Sequence, residues 1–466
     1  MSGKVPTMSP VFNLGIWSTL DGAAGSGQLL LPADHLVTHG VVVGMTGSGK
    51  TGLITVMLEE SLRNGIPAII IDVKGDLPNL LLSIPDFSAA SIAPWTRGDE
   101  LPEQAAQNRR ALLEAWGIGE EEVRRFAAST HVRVLTPGAT AGEPLHVLSA
   151  LERRSSRWDT DPEAARDALG AAVSLVLRLL GRDPDPAKSR EHVLLSVLAE
   201  RRLAAGRDAE LGDLLGDLID PPIDEIGALP LDSFLKKTER KNLAAALNTL
   251  LASPTFASWR QGASLDVAEW VQPREGRTPA VIVSVAHLDD EERSLVLGVV
   301  LQEILCWVRT LSGSQHLRAL VVFDEVYGFL PPYPANPPTK RPLVALMKQA
   351  RGFGVGVLVA TQNPMDLDYR ALSNAGIWCL GRLQTDADRE RVLDGLSSEM
   401  PSMDLGRTVQ RLSTRWFVMR NAQTAVLMQP RQTISLLRGP MTRAEIRRAR
   451  EWREGIGEPG VDEAAE

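Results

Sequence analysis

The sequence predicts an α/β fold, a doubly wound, mostly parallel sheet carrying a mostly helical insertion. Three observations lead there. Short, β-branched apolar runs recur along the chain with helical segments between them. One strand–helix–strand unit closes within about 30 residues, the length of a βαβ crossover. A long stretch rich in Ala, Leu, Arg and Glu separates the second apolar run from the later ones.

Val41-Val42-Val43 is the first run, and a glycine-rich turn follows it. From Lys50 to Arg63 the apolar residues Leu53, Val56, Met57 and Leu62 keep a helical repeat, and Gly65 ends it. Ala68–Asp72 (Ala-Ile-Ile-Ile-Asp) is apolar without alternation, as a strand covered on both faces must be. Val281–Val285, Ala319–Phe323 and Val355–Ala360 repeat that signature, with helices predicted over Glu291–Thr310 and Pro342–Arg351. Between about 89 and 270 helical periodicity covers 163–182, 188–204 and 231–252, and one short strand, His131–Leu135, precedes Thr136-Pro137-Gly138. Pro331–Pro342 is too proline-dense for a helix or a central strand and is predicted as a surface loop. Thr442 and Glu445 have capping-box spacing at the head of a basic helix with Arg447, Arg448, Arg450 and Arg453, a solvated face or a contact to DNA or another subunit. The acidic end, finishing Asp462-Glu463-Ala464-Ala465-Glu466, is expected to be disordered. The division expected is a lead-in over 1–40, a sheet core over 41–88 and 271–440, the insertion over 89–270, and a tail over 441–466.

A chain of 466 residues exceeds the size at which single hydrophobic cores stop growing. Its 44% apolar and 23% charged composition is that of an ordinary globular protein and excludes global disorder. The net charge of −8 excludes a surface that attracts nucleic acid everywhere, though positive charge confined to a groove or pore is compatible with it. Cys306 and Cys379 sit in apolar contexts far from any metal-binding spacing, as small core residues of a reducing compartment do. Lys4 has no apolar run behind it, and no stretch approaches the ~18 residues of a membrane span, so the expected location is cytoplasmic, with no membrane partner.

Gly44-Met45-Thr46-Gly47-Ser48-Gly49-Lys50-Thr51 matches G-x-x-x-x-G-K-[ST] between a predicted strand and a predicted helix. Gly44, Gly47 and Gly49 let backbone N–H groups, including those of Thr46 and Ser48, curl around phosphates, and the helix N-terminus adds partial positive charge. Lys50 reaches the β- and γ-phosphates, and the Thr51 hydroxyl ligates Mg2+. The cofactors expected are therefore ATP and Mg2+. Asp324 and Glu325 end the Ala319–Phe323 run, at the strand tip that faces a ligand crevice. Asp324 is the candidate Mg2+ ligand, and Glu325 the candidate that polarises the attacking water. Thr361-Gln362 ends another strand, where Gln362 would sense the γ-phosphate and orient the water. In Asp72-Val73-Lys74-Gly75-Asp76, either Asp72 or Asp76 contacts the site, or both belong to an ordinary turn.

These residues resemble the HerA-like branch of the HerA–FtsK superfamily of hexameric P-loop ATPases. His39-Gly40 running into the glycine-rich loop is similar to that branch's Walker A strand, and Ile70–Asp76 resembles its D-x-K/H-G-D/E element. Gln349–Val355 followed by Ala360-Thr361-Gln362-Asn363-Pro364 resembles the A-R-x-x-G…A-T-Q-x-P segment shared with FtsK translocases. The resemblance implies a RecA-like P-loop NTPase core, an active site shared between subunits of a homohexamer, and an arginine donated by a neighbour. Arg351 matches the A-R-x-x-G arginine and Arg382 lies on the following strand; each is a candidate for that arginine or for a surface salt bridge. Typical HerA proteins carry an N-terminal β-barrel, and about 40 residues before the loop are too few for one.

The function implied is an ATP-driven motor on duplex DNA, helicase-like, coupled to a partner enzyme such as a nuclease. Two other classes stay open: a secretion or conjugation ATPase, and an NTPase scaffold that assembles a defence or effector complex without translocating. DNA stimulation of the ATPase separates the first from the last.

Overall fold

The structure is a computed structural model that describes residues 9–20, 26–364, 367–372, 375–396, 405–421 and 424–457. Among the described residues a 13-stranded sheet dominates. Its strands in chain order are β1 (Val11–Ser18), β2 (Ser26–Pro32), β3 (Gly40–Val43), β4 (Ala68–Asp72), β5 (Thr130–Pro137), β6 (Glu143–His146) and β7 (Ala263–Ser264). They continue with β8 (Thr278–Ser284), β9 (Ser314–Asp324), β10 (Phe353–Thr361), β11 (Ile377–Leu380), β12 (Phe417–Arg420) and β13 (Ala425–Pro430). In space the order is β2-β1-β13-β12-β11-β3-β10-β9-β4-β8-β5-β6-β7. From β11 to β7 every neighbouring pair is parallel. From β11 out to β2 every pair is antiparallel. Each apolar run predicted as a strand lies in this sheet.

Successive side chains of a strand point to opposite faces, so a strand apolar throughout serves two cores. Val41, Val43, Ile69, Ile71, Val281, Val283, Val321 and Phe323 belong to one core, with the helices Pro162–Leu179, Arg190–Ala204 and Lys237–Leu251. Val42, Ile70, Ile282, Leu320, Val322 and Leu358 belong to the other, with the buried side of α1 (Lys50–Arg63). Two further helices, α2 (Asp290–Thr310) and α3 (Lys340–Gln349), cover the first face. Helix α1 carries the chain from β3 past β10 and β9 to β4. That crossover sets the carboxyl ends of β3, β10, β9 and β4 side by side on one edge, where open α/β sheets bind ligands.

Strands from both flanking segments join the sheet. Within the expected lead-in, β1 and β2 form its antiparallel edge, with Gly15 opposite Pro430. Within the mostly helical insertion, β5, β6 and β7 extend the parallel side beyond β8. The shortest of these are four and two residues long, too short to register as a period in the sequence. The predicted loop at Pro331–Pro342 ends earlier than expected, because α3 takes Lys340, Arg341 and Pro342 into its first turn. A proline there loses no intrahelical bond.

The capping box forms at α4 (Arg443–Gly457): the Thr442 N–H donates to Glu445 Oε2 at 2.7 Å, and the Glu445 N–H to Thr442 Oγ1 at 3.3 Å. Two of the basic residues turn toward the insertion. The Arg448 guanidinium lies 4.7 Å over the Trp95 ring, and Arg453 donates to the Ala127 carbonyl at 2.8 Å and Thr130 Oγ1 at 2.9 Å. The acidic end lies outside the described residues. Cys306 and Cys379 are free and buried, and burial pushes their thiols up to about 11 and about 12. Among the described residues no helix is long and apolar enough to cross a membrane.

Candidate functional site

β3 delivers the chain into the glycine-rich loop, and α1 leaves it. Gly47 and Gly49 have φ of +78° and +99°, where a side chain would be strained. At Gly49 a Cβ would also stand 3.0 Å from Arg415 Cγ, so the loop has room only for glycine there. Three backbone bonds hold the loop from outside. The Gly44 N–H donates to the Thr361 carbonyl at 3.3 Å, the Met45 N–H to the Arg382 carbonyl at 2.9 Å, and the Arg415 N–H to the Ser48 carbonyl at 2.9 Å. The first-turn N–H groups of α1 have no intrahelical partner and carry its positive end toward the loop. Lys50 is 7% exposed, and its ammonium donates to the carbonyls of Gly44 and Met45. Burial, with the nearby Lys74 charge, lowers it to about 8, against the pull of Glu325 and Asp324.

The acidic pair stands at the tip of β9. Asp324 is 2% exposed, and its Oδ2 has no hydrogen-bond partner. Burial pushes its carboxyl up to about 7 while Lys74 pulls against it. Glu325 turns the chain out of the strand with φ +73°, a conformation rare for a non-glycine residue. Its Oε1 accepts from Thr361 Oγ1 and the Gln362 N–H, both at 3.1 Å, and its Oε2 accepts from the Lys74 ammonium at 2.7 Å. Gln362 Oε1 in turn accepts from Thr46 Oγ1 at 2.6 Å. The tips of β9 and β10, the turn after β4 and the glycine-rich loop are thus joined by one hydrogen-bonded network.

Not every predicted residue arrives there. Asp72 is fully buried, and its Oδ1 accepts from the N–H groups of Gly75 and Asp76 at 3.0 and 3.2 Å and lies 3.4 Å from that of Leu77. Its Oδ2 accepts from Ser284 Oγ at 2.8 Å. Oδ1 shapes the turn and Oδ2 is taken by Ser284 of the neighbouring strand, which favours the turn over the nucleotide contact among the two readings of Asp72. Arg351 is exposed in the short helical turn before β10, at the opposite end of that strand from Thr361. It cannot reach the loop of its own chain. Arg382 follows β11, exposed on the rim, with its carbonyl on the loop.

Two neighbours of the loop are not among the residues the sequence singles out for a role. Lys74 lies inside the D-x-K-G-D element at a strand tip, the edge where a ligand is expected, and that placement was the available signal. Arg415 (φ +64°) packs on Gly49 and donates to Gln432 and to the carbonyls of Pro430 and Arg431. Its contact with the loop is entirely non-local.

A parallel sheet with this loop between its first parallel strand and α1, and an acidic pair two strands away, defines a RecA-like P-loop NTPase core. The side chains fit a magnesium nucleotide: Thr51 opens α1 beside the loop, and Asp324 offers a buried, unpartnered carboxylate oxygen, both hard oxygen donors of the kind Mg2+ takes.

Residues 26–117 match the family model for the central domain of the helicase HerA. The match spans the loop, α1, β4 and the Asp72–Asp76 turn, and agrees with the resemblance carried by the motifs. Among solved structures, VirB4 of Thermoanaerobacter pseudethanolicus aligns with a TM-score of 0.53 at 13% identity, over 92% of this chain and 98% of that one. The plasmid coupling protein TrwB in complex with ADP and Mg2+ aligns at 0.49 and 15% identity, over 94% and 92%. No curated protein matches the chain in sequence. At 13% identity the likeness to VirB4 speaks to the fold alone.

Proposed function

We propose that this chain is the subunit of an ATP-hydrolysing ring motor, a homohexamer that translocates on duplex DNA and is coupled to a partner enzyme such as a nuclease. The observation that carries the hydrolytic part is Glu325, held at a strand tip by Thr361 and Gln362 within the network that reaches the glycine-rich loop. In this reading Lys50 and the loop N–H groups bind the β- and γ-phosphates. Mg2+, held by Thr51 and Asp324, supplies neutralising charge to the phosphates. Glu325 takes a proton from water as the water oxygen bonds to the γ-phosphorus and the bridging P–O bond to ADP breaks. Gln362, fixed by Thr46, orients that water.

The ring and DNA parts rest on the HerA family match and on the motifs at 349–364. An interface arginine is part of the same reading. The exposure of Arg382 beside the loop supports it for that role, and Arg351 would serve only if a neighbour's loop met the far end of β10. Cryo-electron microscopy with a non-hydrolysable ATP analogue and duplex DNA tests this function. A six-membered ring with DNA in its pore is the expected result. Isolated subunits that ignore DNA would leave the non-translocating scaffold in its place.

A further inference from the structure

Lys74 stands on a turn that is built to be rigid. Asp72 accepts from the N–H groups of Gly75 and Asp76, and Gly75 takes φ +87° to close the turn. The ammonium this turn projects meets Glu325 Oε2 at 2.7 Å, with the two side chains 30% and 11% exposed. Since Thr361 and Gln362 occupy Oε1, both oxygens of the candidate base are engaged. Lys74 is also close enough to Lys50 to lower it and to Asp324 to pull against its burial. It is thus near the phosphate-binding lysine and both acids. Lys50 and Lys74 repel each other, and a γ-phosphate, with more charge than one carboxylate, is the anion that relieves both.

We propose that Lys74 is a γ-phosphate-binding cation that restrains Glu325 and exchanges that carboxylate for the γ-phosphate when a triphosphate enters. The exchange frees Oε2 to take the proton of the attacking water. Diphosphate leaves Lys74 on Glu325, so the base is released only when there is a bond to cleave. The inference rests on the glycine-rich loop holding the triphosphate.

The test uses the full chain, with ADP and the β,γ-imido analogue of ATP as probes in calorimetry. Lys74→Ala should weaken the analogue about tenfold. It should leave ADP within about twofold and lower kcat about 100-fold. Lys74→Arg should recover part of both losses. Glu325→Gln, which loosens the grip on Lys74, should tighten the analogue in the wild-type background and do nothing in the Lys74→Ala background. Such a non-additive cycle is the signature of two groups sharing a partner. An additive cycle, or equal losses for ADP and analogue together with a lowered melting temperature, would overturn the proposal. Should Lys74→Ala not fold, Lys74→Met keeps the stem and the same readouts apply. Failure of the wild type to bind ADP, or normal ADP binding by Lys50→Ala, would instead sink the nucleotide-site reading itself.

Discussion

Lys50 and Glu325 stand in one network but act on different atoms, which separates their variants. Lys50→Ala removes the charge that meets the phosphates and should abolish nucleotide binding. Glu325→Gln keeps an acceptor for Thr361 and Gln362, so binding should persist while turnover falls at least about 100-fold. Fluorescent-nucleotide titration and phosphate release measure the two. Turnover by Glu325→Gln at the wild-type rate would remove Glu325 from the chemistry. Asp72 makes a different prediction, because burial raises its carboxyl to about 6 while Ser284, Leu77 and Gly75 pull it down. A carboxyl raised on folding favours the folded state fully below its unfolded value near 3.8, and that benefit is lost as pH rises through about 6. At pH 7 the ionised form therefore costs stability, up to roughly 3 kcal/mol. Asp72→Asn keeps an acceptor for the turn and escapes that cost, so its stability relative to wild type should rise between pH 4 and pH 7 in urea unfolding. A flat difference would mean that the carboxylate is compensated by a cation.

At the scale of elements, the segment after β13 ties the loop to its helix. Arg415, on Gly49, donates to the carbonyls of Pro430 and Arg431 at 3.0 Å each. Arg431 is 3% exposed and donates to Glu59 Oε2 and Glu60 Oε1, both at 2.8 Å. Glu59 also accepts from the N–H groups of Ile434 and Ser435, and Glu60 from that of Asn13. One buried cluster thus joins α1, β1 and the C-terminal segment. Arg431→Met leaves Glu59 buried without its cation and Glu60 with Arg63 alone, and about 3–5 kcal/mol of stability should be lost. An unchanged urea midpoint would show that the cluster contributes nothing. Gly49→Ala meets both the left-handed backbone and Arg415, so it should abolish nucleotide binding while the rest of the sheet stays folded. Calorimetry beside far-UV circular dichroism separates those outcomes.

At the scale of the whole molecule the charge balance constrains how DNA is met. With a net charge of −8, only concentrated cations can attract a duplex. Val326–Pro364 is a stretch of net positive charge, with Lys340, Arg341, Lys348 and Arg351 and no Asp or Glu, though Lys340 pairs with Asp368 at 3.2 Å. A translocase must tolerate every sequence it passes, so its contacts should be to phosphates. Binding should then be independent of sequence and weaken steeply with salt. ATPase rate should rise on adding duplex DNA, through coupling between pore occupancy and site closure. Mass photometry with nucleotide and DNA should show hexamers. Monomers throughout, with an ATPase indifferent to DNA at low salt, would replace the motor with a scaffold.

What the sequence determined by itself is whatever local chemistry dictates. The loop Gly44–Thr51 needs glycines at fixed offsets, and a strand buried on two faces has to be apolar throughout. Acids placed where such strands end then mark the ligand edge. Those signals lie within a few residues of each other, and the central strands, α1, Lys50, Asp324, Glu325 and Gln362 were legible from them. Tertiary structure decided everything that depends on the path of the chain between distant segments. It bonded Asp72 to Ser284, brought Arg415 onto the loop and set Lys74 against Glu325. It also added β1, β2, β6 and β7 to the sheet. β6 and β7, four and two residues long, have too few residues to show a period, and the hydrogen-bonding partners of all four strands are chosen only once the neighbouring strands are in place.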